Sequence, residues 1–217
     1  MREILSLYVG LPPGRLRFGY NAFGKPELIG APGETGVRFN LSHAGGLALY
    51  AVAAGWEVGV DIEVVSEGVP CEELSERFFS RRERAALLAL PAGDRRRAFF
   101  ECWARKEAYI KGRSEGLSLP LDSFDVSQAS GAPAVLLATR DDRPGAARWS
   151  LRELAAGPGY AAAVAPRAAA GVCAVGVGRV TNRLNEGSVL WEVIPELAEV
   201  LFKGREAVPS SRTDRPE

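Results

Sequence analysis

The hexapeptide Val58-Gly59-Val60-Asp61-Ile62-Glu63 places the strongest condition on how this chain can fold. Its apolar residues recur at every second position, the period of a β-strand. Val58, Val60 and Ile62 therefore share one face, and Gly59, Asp61 and Glu63 share the other. Such a strand needs an apolar layer on one side, while on the other it sends out two carboxylates together. Like charges held that close repel unless a cation or a donor lies between them. Hard oxygen ligands on a rigid strand suit Mg²⁺, which takes one or two protein carboxylates and completes its octahedron with water and substrate phosphate. Alone the pattern is weak, because solvated faces of antiparallel strands also carry Asp-x-Glu. The neighbouring segments decide what it means.

Upstream, the apolar first ten residues read as the end of a helix. Leu16, Phe18 and Tyr20 alternate as in a strand, and Phe23-Gly24-Lys25-Pro26 is a turn signal. Val37 to Ser42 alternates cleanly, with Val37, Phe39 and Leu41 inward and Arg38, Asn40 and Ser42 on the other face. His43, the single histidine of the chain, follows at the strand end. The small residues Ala44-Gly45-Gly46 would let backbone N–H groups approach an anion there. Leu47 to Ala53 is apolar enough for a buried strand or a short helix.

Downstream, Cys71 to Arg77 reads as a short helix. Ser80 and Glu83 have the spacing of a capping box, opening a helix that stops near Leu90 before Pro91. Asp94 is expected to cap a longer helix to Lys111, ended by Gly112. On that helix Phe100, Trp103, Glu107 and Lys111 form one stripe, and Phe99, Cys102, Trp103, Lys106, Tyr109 and Ile110 an adjoining apolar one. Taken alone, Glu107 and Lys111 are an ordinary i,i+4 ion pair. Leu117–Val126, Ala134–Thr139, Arg148–Leu154 and Tyr160–Ala165 are strand candidates. Val189–Leu201 could form an amphipathic helix interrupted by Pro195, and residues 208–217 are expected to be disordered.

Bulk properties exclude some classes. Lys+Arg and Asp+Glu both number 27, so no net field directs the chain to nucleic acid or to an anionic membrane. Cys71, Cys102 and Cys173 lack metal-site spacing and are expected to be reduced. No segment reads as a signal peptide or a membrane span, and a cytoplasmic location is expected.

Four stretches now combine: Phe39-Asn40-Leu41-Ser42-His43; Val58 to Glu63; Arg77-Phe78-Phe79-Ser80 with Glu83; and Trp103-Ala104-Arg105-Lys106-Glu107-Ala108-Tyr109-Ile110-Lys111. With them the chain closely resembles the 4′-phosphopantetheinyl transferases, specifically the larger, surfactin-synthetase-activating type. Gly24-Lys25-Pro26 and Gly116 to Phe124 add to the likeness, which covers about residues 15 to 165. The resemblance implies Mg²⁺-dependent transfer of the phosphopantetheine arm of coenzyme A to a serine of an apo acyl carrier protein or peptidyl carrier domain, releasing adenosine 3′,5′-bisphosphate. By the same resemblance Asp61, Glu63 and Glu107 hold the metal, and Glu107 is the candidate base. Lys111 meets the phosphates and stabilises the leaving group, and Lys25, Ser42 and His43 contact coenzyme A. Phe78-Phe79 and the helix after them border the carrier-protein region.

The implied fold is α/β (α+β), two similar subdomains related by a pseudo-two-fold, each a small antiparallel sheet packed on helices. Residues 1–60 would form a partial N-terminal subdomain, residues 61–166 the C-terminal subdomain with the site at the seam, and residues 167–217 a divergent, partly disordered tail. The larger type has a longer N-terminal half carrying basic residues for the 3′-phosphate, so the first subdomain is expected to be incomplete. A monomer is expected rather than the trimer of the smaller type. The alternatives are an inactive, shortened paralogue that binds only coenzyme A or the carrier, and a different Mg²⁺-dependent phosphoryl-transfer or hydrolysis enzyme using the same carboxylates.

Overall fold

In the computed structural model, residues 1–30, 36–115, 118–128, 133–140, 148–167, 173–182, 189–193 and 199–200 are described. The apolar start of the chain is α1 (Arg2–Val9), closed by Gly10 in the left-handed conformation. Two antiparallel pairs follow: β1 (Arg17–Tyr20) with β2 (Pro26–Ile29), and β3 (Val37–Ala44) with β4 (Leu47–Ala54). β5 (Val58–Val64) leads to the helices α2 (Cys71–Phe78), α3 (Arg81–Leu88) and α4 (Ala92–Arg113). Then come β6 (Phe124–Val126), β7 (Leu136–Thr139), β8 (Arg152–Glu153), β9 (Tyr160–Pro166), β10 (Cys173–Asn182), β11 (Val189–Val193) and β12 (Glu199–Val200). The result is the expected mixed α/β fold of small antiparallel sheets packed on helices. No helix among the described residues is long and apolar enough to cross a membrane.

β4 shows how the sheets are layered. Leu49, Ala51 and Ala53 meet Val58, Val60 and Ile62 of β5, together with Val175 and Val177 of β10. Tyr50 and Val52 meet Phe39 and, from α1, Ile4 and Leu5. Buried on both faces, β4 reads as a continuous apolar run rather than an alternating one, which is why strand and short helix were equally open for it. Its sheet runs β11–β10–β4–β3, with β12 also paired to β10. The second sheet runs β5–β9–β8.

β5 keeps the predicted alternation. Its apolar face lies on the first sheet, and Gly59 on its other face lies against α4. A Cβ at Gly59 would collide with the Ala108 carbonyl oxygen and the Gly112 amide of that helix. β9 is similarly slim there, presenting Ala161, Ala163 and Ala165 to the core around α4. Gly59→Ala is therefore expected to destabilise the fold by about 3 kcal/mol or more, because the obstruction is backbone that cannot change rotamer. An unaltered urea midpoint would show that strand and helix are not packed this closely.

Expectations for the ends of α4 and for the helix proposed near the C-terminus are corrected. α4 begins at Ala92 after Pro91, so Asp94 lies in its first turn and is not its cap; it continues through Arg113 to Ser114, which takes the left-handed conformation. Residues 189–193 and 199–200 are strands, not one helix. Their Val-rich composition favours a pleated surface. Gly45 and Gly46 both have positive φ and form the two-residue turn joining β3 to β4. The Ser80–Glu83 capping box is present as expected. Residues 208–217 and Gly116-Leu117 lie outside the described residues.

Candidate active site at the junction of β3, β5 and α4

β5 does not pair by backbone with β3. Instead, the β3 side chains accept from β5: Val60 N–H donates to Asn40 Oδ1 at 2.8 Å, and Ile62 N–H to Ser42 Oγ at 3.4 Å. Asn40 and Ser42 are buried and satisfy strand-edge donors that would otherwise be orphaned. Between these two contacts Asp61 projects toward α4. Its Oδ1 accepts from Ser42 Oγ at 2.9 Å and from Lys111 Nζ at 2.5 Å, and Lys111 also donates to Ser42 at 3.1 Å. Asp61 is 2% exposed, and its Oδ2 is buried with no hydrogen-bond partner.

Glu63 and Glu107 complete the group, both half-buried. Burial, then the negative charges of Asp61 and Glu107, push the Glu63 carboxyl up to about 7, against the pull of Lys111 and a hydrogen bond from Trp103. Glu107 is raised by burial and by Asp61, again opposed by Lys111. Two strand carboxylates and one helix carboxylate thus crowd one region with a single ammonium among them. Among the described residues, no three His, Cys, Asp or Glu side chains already stand as a preformed metal cage. The donor set still fits a hard divalent cation, since it consists of oxygens alone, in excess of positive charge, with a buried oxygen left unpaired.

The other expected contacts lie elsewhere or apart. His43 is exposed, next along β3 after Ser42. Lys25 sits at the C-terminal end of α4. Its Nζ donates to Glu57 Oε2 at 3.1 Å, to the Val58 carbonyl at 3.0 Å and to Ser114 Oγ at 2.9 Å. Burial lowers the Lys25 ammonium despite Glu57. Burial would raise Glu57, but Lys25, Ser114 and Arg38 bring it below the usual carboxylate range. This cluster borders a cleft of about 230 Å³ lined by Asn21, Lys25, Arg38, Phe39, Glu57 and Arg113.

Trp103 packs edge-on to Phe78, with ring centroids 5.6 Å apart, as well as bonding Glu63. Phe79 stacks on Phe99 at 5.2 Å and belongs to the core, while Phe78 is half-buried beside Arg77.

Lys106 is the residue whose importance the motif left unassigned. It is 0% exposed and bonds both oxygens of Glu83, at 2.6 and 2.7 Å, and the Phe124 carbonyl at 2.8 Å. Glu83 also accepts from Ser80 N–H at 2.9 Å and Val126 N–H at 2.8 Å. The signal was present in the sequence: a lysine inside an apolar helical stripe requires a buried partner.

Residues 57–165 match the family model described as the 4′-phosphopantetheinyl transferase superfamily. The chain is 37% identical over 165 residues to the 4′-phosphopantetheinyl transferase HetI of Nostoc sp., covering 76% of this chain and 66% of that protein. It is 35% identical over 127 residues to the 4′-phosphopantetheinyl transferase Sfp of Bacillus subtilis, covering 58% of this chain and 54% of that one. The chain thus spans between half and two thirds of the length of these relatives. Among solved structures, the holo-[acyl-carrier-protein] synthase of Thermotoga maritima aligns with a TM-score of 0.43 and 22% identity, over 65% of this chain and 84% of that one.

Proposed function

This chain belongs to the 4′-phosphopantetheinyl transferase superfamily, and from that premise we propose that it transfers the 4′-phosphopantetheine arm of coenzyme A to a serine of an apo acyl or peptidyl carrier protein. The observation that carries this reading is the convergence of Asp61, Glu63 and Glu107 beside Lys111, with a buried carboxylate oxygen left unpaired. Asp61, Glu63 and Glu107 would hold Mg²⁺. When bound, that ion would offset charge on the pyrophosphate oxygens.

The chain's own residues do the rest. The carrier serine Oγ attacks the β-phosphorus of the pyrophosphate; that new P–O bond forms as the bond to the bridging oxygen breaks, and adenosine 3′,5′-bisphosphate departs. Glu107, half-buried on α4 beside the strand carboxylates, accepts the serine proton, directly or through water. Lys111 donates to phosphate oxygens as charge moves onto the leaving group. Ser42 orients Asp61 and Lys111 together. His43, exposed at the end of β3, is free to reach the coenzyme. Lys25 serves coenzyme binding by exchanging its bond to Glu57 for a phosphate contact. The proposed halves, residues 1–60 and 61–166, meet at the site where Ile62 N–H donates to Ser42 Oγ.

Intact-mass measurement of apo acyl and peptidyl carrier proteins after incubation with this protein, coenzyme A and Mg²⁺ tests the reading. A gain of one phosphopantetheine is expected, and its loss when a chelator replaces Mg²⁺. No gain on any carrier of either class would overturn the transfer.

A further inference from the structure

We infer that Lys111 is a counter-ion latch: its ammonium stands in the cation position at Asp61 until an anionic substrate draws it away. The geometry is specific. Lys111 Nζ lies 2.5 Å from Asp61 Oδ1, and the same Ser42 hydroxyl that donates to Asp61 accepts from Lys111 at 3.1 Å. The pair is asymmetric in exposure. The Asp61 side chain is 3% exposed and fixed on a strand, whereas the Lys111 side chain is 31% exposed. Its long flexible stem, on the last turns of α4, can swing outward while the carboxylate cannot.

This latch has a purpose set by the charges around it. Asp61, Glu63 and Glu107 crowd one another, and without a cation the helix and strand bearing them would repel. Lys111 supplies one positive charge from within the chain and offsets part of that repulsion in the ligand-free protein. A divalent ion arriving alone at the unpaired Asp61 Oδ2 must bind against the charge of the ammonium on Oδ1 of the same carboxylate. A pyrophosphate gives the ammonium a second partner of equal chemistry, so releasing Asp61 then costs little. The metal and the polyphosphate substrate therefore bind cooperatively, through one side chain with two alternative partners. The inference rests on the reading of Asp61, Glu63 and Glu107 as the metal site.

Mn²⁺ titration followed by electron paramagnetic resonance, with and without coenzyme A, tests it on wild type, Lys111→Met and Asp61→Asn. Without coenzyme A, Lys111→Met is expected to bind Mn²⁺ about ten-fold more tightly than wild type, since a competing unit charge within a few Å is removed. Coenzyme A is expected to strengthen Mn²⁺ binding in wild type by about ten-fold more than in Lys111→Met. Asp61→Asn is expected to bind Mn²⁺ more weakly than wild type, and a titration of coenzyme A without protein measures the metal carried by the coenzyme alone. Equal strengthening in wild type and Lys111→Met would overturn the latch while leaving the metal site standing. Absence of protein-bound Mn²⁺ in wild type and Lys111→Met alike would overturn both.

Discussion

Asp61→Asn is expected to slow carrier loading by about 10²–10³-fold, on the order of 3–4 kcal/mol of transition-state stabilisation. Asparagine keeps the shape and can still accept from Ser42 and Lys111, but it removes the formal charge in the middle of the group. That charge is what a divalent cation at Glu63 and Glu107 would share. Stability should change little. The partner left behind, Lys111, has a side chain 31% exposed and can turn to water, and pairs of that exposure contribute little to folding. The experiment is single-turnover loading of an apo carrier alongside urea unfolding. Wild-type loading in Asp61→Asn would remove this carboxylate from the metal site. Lost loading with a large drop in midpoint would instead mean that the residue acts through the fold.

The second large effect concerns stability. Lys106→Met is expected to destabilise the protein by about 3–5 kcal/mol, because Glu83 would be left charged and buried without its cation. Glu83 is 1% exposed and also receives the backbone N–H groups of Ser80 and Val126. Its loss of partner therefore strains the α3 cap and β6 together. Removing the charge from both partners, as in Lys106→Met with Glu83→Gln, is expected to recover part of that loss, since a neutral amide still accepts backbone hydrogen bonds. Urea unfolding of the single and double variants measures this. A single-variant loss below about 1 kcal/mol would mean that the pair does not anchor α4. Glu107 follows Lys106 directly on the helix, so the anchor also holds the candidate base in place.

Much of this arrangement was legible in the chain. The two-residue period of Val58 to Glu63 survives folding because both faces of β5 are used, one against the first sheet and one against α4. The four-residue spacing of Trp103, Glu107 and Lys111 brought those side chains to the same strand face. Partners across long separations were not legible. Nothing local says that Asn40 and Ser42 would bond the backbone of β5, since both fit a solvated or anion-binding strand face equally well. Lys25 lies within a turn signal that names no partner, and only the folded chain brings Glu57 and Ser114 to it. Residues 189–193 and 199–200 fit a helix as well as a strand because a short apolar run suits either period, and pairing to β10 decides for strands.

That pairing has a bearing on how the chain is made. β10 lies between β4 and β11, so the middle of the first sheet is filled by a segment synthesised long after β3 and β4. As the nascent chain emerges, β4 must wait with one hydrogen-bonding edge open, while the helices and β9 appear before its neighbour does. Open edges of apolar strands recruit other chains. The order of the elements therefore makes the interval before β10 docks the period of greatest risk of misassembly during synthesis.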